Sequence, residues 1–374
     1  VGIFFSDSSD QKFLPNSDSD STTSTPRLRF HDSDSDSHSP DNNSYEFPLD
    51  LVRRQNLFLV ELQVLRDVLP RATELLGSQV GPRLWYGCEN PRVLIMENLK
   101  RRMFTIKSRQ KGLPYEHCCL VMEQLARLHA GSVAVYEKVK KFDKSSEDQD
   151  PQIMESFKGH GIVTTKLSLL RVAETIQKWP NEKCASSGKK LIKLVETIGA
   201  RCLDVYNYDS DEFCVLNHGD CWMGNMMFKE DEKGRPTEVL LVDYQMSVYT
   251  SPAIDLLYFL NICPAITVKY DNDDRFLEIY LNTLTETMKS IGCKTRPPTI
   301  EELKTAMHKR RVYAIFSGII LNFRMMAKKE DTEDFTEVLE KYSGESQMDV
   351  FKNPDTVKLA HKMIPVLIER GYLE

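Results

Sequence analysis

Residues 214–260 read CVLNHGDCWMGNMMFKEDEKGRPTEVLLVDYQMSVYTSPAIDLLYFL. His218, Gly219 and Asp220 open the stretch, and Asn225 follows Asp220 by five positions. A polar turn with Gly234 and Pro236 separates two apolar runs. The second run, Val239-Leu240-Leu241-Val242, delivers Asp243, and Gln245 follows. This order suits phosphoryl transfer from a nucleotide. One carboxylate sits near the attacking hydroxyl, and an amide and a second carboxylate sit near the metal ions that neutralise the phosphates.

The spacing has a mechanical reading. His-x-Asp-x-x-x-x-Asn is a catalytic-loop pattern that holds Asp220 where a substrate hydroxyl can donate its proton. Asn225 can turn back toward a cation. Met226-Met227-Phe228 begins a short strand, and Asp231–Arg235 is a hairpin turn with Gly234 where positive φ is useful. The return strand ends at Asp243, a hard oxygen ligand suited to Mg²⁺. The bland alternative makes Asp220 and Asp243 turn residues that cap the following segments. The sequence of loop, strand, tight turn, apolar strand and carboxylate favours the chemical reading.

These residues resemble the choline-kinase-like and aminoglycoside-phosphotransferase group. Within it they are most similar to the ecdysteroid-kinase-like (CHK-kinase-like) family of insects. His218-Gly219-Asp220-Cys221-Trp222-x-x-Asn225 is similar to that family's HGDxWxxN motif, and Asp243-Tyr244-Gln245 to its D-[FWY]-Q motif. Ser251-Pro252-x-x-Asp255-Leu256 matches the segment that follows. The resemblance runs over about residues 55–374. It implies an α+β, protein-kinase-like two-lobed fold with an incomplete small β-rich lobe and a large, mainly helical lobe. It implies that Asp255 opens a helix and holds the catalytic loop through its backbone. It further implies ATP and Mg²⁺ as cofactors and a hydroxylated lipophilic acceptor, such as an ecdysteroid or a xenobiotic alcohol.

Composition bounds the rest. The chain has 374 residues, 41% hydrophobic and 28% charged, which allows one large two-lobed domain or two to three smaller ones. A net charge of −6 argues against nucleic acid as a partner, because phosphate binding needs a basic face. Nine cysteines without CxxC spacing read as reduced thiols of a cytoplasmic protein. No apolar run is long enough for a membrane span. A monomer is expected.

Residues 1–46 form a low-complexity unit. Segments such as Ser17-Asp18-Ser19-Asp20 and Asp32-Ser33-Asp34-Ser35-Asp36 cannot bury enough apolar surface to order, so disorder is expected over 6–46. A phosphorylatable acidic tail is the functional alternative. Residues 47–100 are expected to hold what remains of a small lobe and a hinge, and 101–374 the helical lobe.

Leu57 to Val68 carry a helical stripe that should end before Pro70. By resemblance, Glu61 on this helix is the candidate partner of a nucleotide lysine; the bland alternative is a solvated Glu. Arg83–Tyr86 and Val93–Met96 read as strands joined by a turn at Cys88–Pro91. Met96-Glu97-Asn98-Leu99 then resembles the family's Glu-Asp-Leu hinge, whose backbone contacts an adenine edge, with Asn98 in place of Asp. Tyr115–Ser132 reads as a buried helix, and His129 on it as a packed core histidine rather than a catalyst. Asp143–Pro151 is a connector. Helices are expected over Lys166–Trp179, Gly188–Tyr206, from Ile254, and over Asp274–Gly292, Ile300–Ala327, Phe335–Tyr342 and Val357–Gly371.

The family pattern has a Gly-rich turn and a strand lysine before the Glu-bearing helix. Neither stands in residues 1–60, where Lys12 is the single lysine and Ser6 falls about where the strand lysine belongs. Val1–Ser6 reads as a remnant strand, so the chain is expected to be truncated, mis-joined or degenerate there. Arg53 and Arg54 supply charge, but arginine does not replace a point-charge lysine freely.

Two functions follow. The first is an ATP-dependent O-phosphotransferase, with Asp220 as base, His218 supporting the loop, and Asn225 and Asp243 holding Mg²⁺. The second is a catalytically inactive, kinase-like binding protein for small molecules. The intact Asp220/Asn225/Asp243 set favours the first and the absent lysine the second. A metal-dependent hydrolase lacks the His-rich spacing it would need.

Overall fold

The computed structural model describes residues 57–139, 162–326 and 349–374. The expectations for residues 1–46, the remnant strand at 1–6, Arg53 and Arg54, the connector at Asp143–Pro151 and the helix at Phe335–Tyr342 lie outside the described residues.

The first helix, α1, runs through residues 57–63, a π-helical turn Val64–Val68 and an α-helical segment Leu69–Leu76. It therefore passes Pro70 instead of stopping before it. The Leu69 N–H reaches back five residues to the Val64 carbonyl, and this wider turn places Pro70 in the first turn of the next segment. Proline has no N–H to satisfy there and its fixed φ suits the position. Gly77, at φ 65°, ends the helix.

Strands β1 (Leu84–Cys88) and β2 (Val93–Met96) pair antiparallel. A 3-10 turn, Leu99–Arg102, is capped by the Asn98 side chain, which accepts from Lys100 N. Strand β3 (Thr105–Ile106) follows, then α2 (Tyr115–Val139), which packs on α1. Helices α3 (Ile162–Gln177) and α4 (Glu182–Asp204) pack on each other.

The central stretch folds into β4 (Val215–Asn217), β5 (Met226–Glu230), β6 (Pro236–Leu241) and β7 (Val248–Thr250). β4 pairs with β7, and β5 lies between β3 and β6, all antiparallel. The β5–β6 hairpin is buried on both faces. Met226, Phe228, Val239 and Leu241 join the main core. Met227, Leu240 and Val242 join Leu99 and Phe104 in a second, smaller cluster. Strand alternation thus gives each face an apolar set.

Helix α5 (Ala253–Ile262) follows β7, and all ten of its residues are buried. Helices α6 (Asp273–Ser290) and α7 (Ile300–Lys309) come next, and α6 lies against α2. The single helix expected over Ile300–Ala327 is broken after Lys309. Arg310 is 3% exposed, donates from Nε to the Val205 carbonyl at 3.0 Å and meets Glu212 at 2.7 Å. A guanidinium at that depth must be paired, and the backbone turns to deliver it inward. Beyond the break, α8 comprises Val312–Ile315, a π-helical turn Phe316–Asn322 and Phe323–Met326. Helix α9 (Pro354–Glu369) ends the described chain. The α+β class, with small antiparallel sheets and a mainly helical remainder, is the one expected.

Candidate active site

The loop between β4 and β5 is held from below by one carboxylate. Asp255, in the first turn of α5 and wholly buried, accepts from His218 N at 2.7 Å and Gly219 N at 2.9 Å. His129 is also wholly buried; its Nε2 meets Asp255 Oδ2 at 3.1 Å and its Nδ1 meets the Tyr280 hydroxyl at 2.8 Å. Burial acts to raise the Asp255 carboxyl. The hydrogen bond and charge of His129, the charge of His218 and the Gly219 amide outweigh it and hold the group below its ordinary range. His129 is thus a packed core histidine with a polar duty.

Gly219 has φ 82°, and a Cβ there would lie 1.9 Å from the Met246 carbonyl oxygen, so both conformation and space demand glycine. His218 supports the loop from its ring. Asp220 N donates to Nδ1 at 3.3 Å, which makes Nε2 the donor to the Val242 carbonyl at 2.9 Å. One end of the β4–β5 loop is thereby fastened to Val242, the neighbour of Asp243.

Asp220 is partly exposed, and both its carboxylate oxygens have donors. Tyr258 OH donates to Oδ1 at 2.6 Å, and Asn225 Nδ2 donates to Oδ2 at 3.0 Å. Asn225 Nδ2 also reaches the Asp220 carbonyl at 3.0 Å. With its nitrogen committed to Asp220, Asn225 keeps its side-chain oxygen for another partner. Its own carbonyl accepts from Val242 N at 3.0 Å, extending the β5–β6 ladder by one rung beyond Met226–Leu241. Asn225, the last residue of the 3-10 turn Met223–Asn225, and Asp243, two residues beyond β6, therefore flank the base of one hairpin. Asp243 itself has φ 67°. That left-handed turn ends the strand, and Gln245 Nε2 reaches Asp243 Oδ2 at 3.3 Å.

Charge accumulates here. Burial, then the negative charge of Asp220, raises the Asp243 carboxyl. Glu61, from α1, accepts a backbone hydrogen bond from Tyr244. Burial and the charge of Asp243 push its carboxyl up to about 7. Asp243 thus stands electrostatically between two other carboxylates, Asp220 and Glu61. Carboxylates with an amide oxygen are hard donors suited to Mg²⁺. Among the described residues no three His, Cys, Asp or Glu side chains form a self-contained metal group. The donor set fits an ion that keeps waters and shares its remaining positions with phosphate oxygens.

The hinge residues reach this neighbourhood through Gln79 and Val80. The Glu97 side chain accepts from Arg102 at 2.8 Å, Gln79 at 3.1 Å and Arg83 N at 3.3 Å. Val80 O accepts from Leu241 N at 3.2 Å and from Tyr244 OH at 3.0 Å. Leu99 is buried in the small cluster, Met96 is half-buried, and Asn98 caps the turn that follows. Glu97 is thus a bracing side chain, and its own N–H donates to the Arg83 carbonyl at 2.9 Å.

Sequence reasoning missed Tyr258. Its signal was its position three residues after Asp255, which puts both on one helix face toward the loop. It sits within Leu256-Leu257-Tyr258-Phe259-Leu260, where an aromatic reads as core.

Comparison with known proteins follows the same lines. A search of curated proteins returned no match. Among solved structures, a candidate aminoglycoside phosphotransferase from Ralstonia eutropha JMP134 is similar at 15% identity, over 87% of this chain and 84% of that one, with a TM-score of 0.40. ADP-bound aminoglycoside phosphotransferase APH(2'')-Ib is similar at 17% identity, over 80% of this chain and 84% of that one, with a TM-score of 0.33. At these scores neither likeness carries an argument about this chain. The profile of the ecdysteroid kinase-like family matches residues 45–293, which takes in α1, residues 96–99, the β4–β5 loop and the hairpin before Asp243. That span is well over half of the sequence, and the chain belongs to the ecdysteroid kinase-like family.

Proposed function

We propose that this chain is an ATP-dependent O-phosphotransferase acting on a small hydroxylated lipophilic molecule, an ecdysteroid-like or xenobiotic alcohol. The observation that carries the reading is the convergence of Asp220, Asn225 and Asp243 at the base of one hairpin. Asp220 accepts the proton of the acceptor hydroxyl as its oxygen becomes the nucleophile. Tyr258 and Asn225 fix the carboxylate rotamer, so that the base is oriented before substrate arrives. His218 and Asp255 hold the loop backbone. Asn225 and Asp243 would hold Mg²⁺, which when bound neutralises charge on the phosphates and orients them. The backbone of Met96-Glu97-Asn98-Leu99 would meet the adenine edge, and Glu61 would stand beside the phosphates. Residues 47–100 would form the small-lobe remnant and hinge, and 101–374 the helical catalytic lobe that carries the base and the Mg²⁺ ligands. Nine free cysteines suit a cytoplasmic setting.

One observation favours the second reading, a kinase-like binding protein without turnover. Glu61 faces Asp243, and among the described residues no cation pairs with it. A phosphate cation is worth several kcal/mol of barrier, about a thousandfold in rate.

Calorimetry with ATP, with and without Mg²⁺, on the parent and Asp243→Ala tests the nucleotide site. Mg²⁺-dependent binding lost in Asp243→Ala is expected; equal, metal-independent binding by both defeats the reading. Transfer of labelled γ-phosphate to a panel of hydroxylated steroids and xenobiotics separates the two functions. Asp220→Asn should abolish transfer and keep ATP binding. Mg²⁺-dependent ATP binding with no transfer to any acceptor selects the binding protein.

A further inference from the structure

Between Asn98 and Tyr115 the chain holds six cations and no acid, in a protein of net charge −6. The segment forms the 3-10 turn Leu99–Arg102, strand β3 and the turn after it. Two of its cations are spent locally. Arg102 pairs with Glu97 and Glu238 and lies over the Phe104 ring at 5.1 Å, and Lys107 pairs with Glu230. Glu238 is also met by Lys229 at 2.9 Å, so the acids of the adjoining strands already have partners. Lys100, Arg101, Arg109 and Lys111 are exposed, and no ion pair among the described residues involves them.

Two large apolar side chains stand out among these cations. Met103 is 75% exposed and Ile106 53%. Met103 has φ 65°. A left-handed turn at a residue with a long side chain is uncommon, and here it lifts that side chain out while Phe104, its neighbour, is 1% exposed. Exposed apolar groups ringed by cations mark a surface that meets something both apolar and anionic.

We propose that this face docks on an anionic lipid bilayer, with Met103 and Ile106 entering the headgroup boundary and Lys100, Arg101, Arg109 and Lys111 meeting lipid phosphates and carboxylates. The shape favours a bilayer over an acidic polypeptide. The patch is a turn and an edge, not a groove, and β3 spans two residues, too short to template an added strand of useful length. Each Lys or Arg near such a surface adds about fivefold to partitioning, so four supply hundreds-fold before the apolar contribution. The proposed contact is made by a turn and a two-residue strand, and no described helix is long and apolar enough to cross a membrane. A bilayer is also where a lipophilic alcohol accumulates, but docking needs no turnover and is tested apart from the catalytic reading.

The test is co-sedimentation of the full chain with vesicles of phosphatidylcholine alone or with about 30% phosphatidylserine, at low and high salt. Two variants accompany it: Lys100→Ser/Arg101→Ser/Arg109→Ser/Lys111→Ser, and Met103→Asn/Ile106→Thr. All six positions are exposed, Asn tolerates the left-handed turn, and Thr keeps the strand preference. The parent should sediment with serine-lipid vesicles only and release as salt rises. The charge variant should bind at least tenfold more weakly and the apolar variant several-fold more weakly. No binding to anionic vesicles at low salt overturns the proposal. Undiminished binding by the apolar variant overturns it in favour of plain charge attraction. Full competition by soluble polyglutamate overturns it in favour of an acidic polypeptide partner.

Discussion

The hydroxyl of Tyr258 donates to Asp220 Oδ1 at 2.6 Å from the same helix on which Asp255 grips the loop backbone. The loop backbone and the Asp220 carboxylate are thus positioned by one buried helix, α5, through two residues a turn apart. Tyr258→Phe should keep the fold and the nucleotide site while freeing the carboxylate to rotate. Hydrogen bonds to charged groups are worth about 1.5–3 kcal/mol, so phosphate transfer should fall roughly 10- to 100-fold at unchanged ATP affinity. Labelled phosphate transfer beside calorimetry measures both; unaltered transfer would remove Tyr258 from the site.

Asp255→Asn exchanges an acceptor for a group that must present N–H toward the backbone amides of His218 and Gly219 or toward His129. The pair with His129 is fully buried. Breaking such a pair costs about 3–5 kcal/mol, and urea unfolding should register a loss of that order. The sign with pH follows from the direction of the shift. A carboxyl held below its ordinary range stabilises the fold above its unfolded-state pKa, and that contribution is lost as pH falls through the folded value. The variant should therefore approach the parent in stability under acid.

Gly219→Ala forces a Cβ onto the Met246 carbonyl and an L side chain into φ 82°. The backbone term alone is about 1–3 kcal/mol. The clash adds to it, unless the loop moves and carries Asp220 with it. Thermal unfolding and phosphate transfer together should show a lower midpoint, abolished transfer, or both. A variant matching the parent in both would mean the loop is softer than its contacts indicate.

Lys269 is wholly buried, and its Nζ donates to the Asn261 carbonyl at 2.6 Å. Burial pulls its ammonium down to about 8. With a folded value below the unfolded one, the charge penalises the fold below about 8 and the penalty fades as pH rises toward about 10.5. Lys269→Met removes this titration. The parent should gain on the variant by roughly 3 kcal/mol across that window. Denaturant curves at several pH values give the difference, which cancels the opposing titration of buried thiols. A difference that stays flat would place a compensating charge beside Lys269.

How far the sequence could be read follows from where each contact lies. The Asp220–Asn225–Asp243 arrangement is local, a loop and one hairpin, so spacing alone carried it. The grip of Asp255 on the loop spans more than thirty residues and came from motif resemblance. Tyr258 hid in an apolar run because periodicity reports burial and says nothing of where a hydroxyl points. Pro70 was taken as a stop, since no pattern announces a π-helical turn that accommodates it. Arg310 broke a helix that its charge pattern would continue, because an arginine that turns inward looks like one that turns outward until Glu212 and Val205 are in place.

The β5–β6 hairpin carries one further consequence. Its pairing is regular from Met226–Leu241 to Lys229–Glu238 and slips between Lys229 and Glu230. The slip marks where the regular pairing that begins at Asn225 and Val242 ends and the turn begins. At the tip, a Cβ on Gly234 would meet nothing within 4 Å. A fluorophore site or a short peptide handle placed beside Gly234, whose φ of 74° requires glycine, would stand in open space. The site thus comes with a solvent-facing attachment point nine residues along the chain from Asp243.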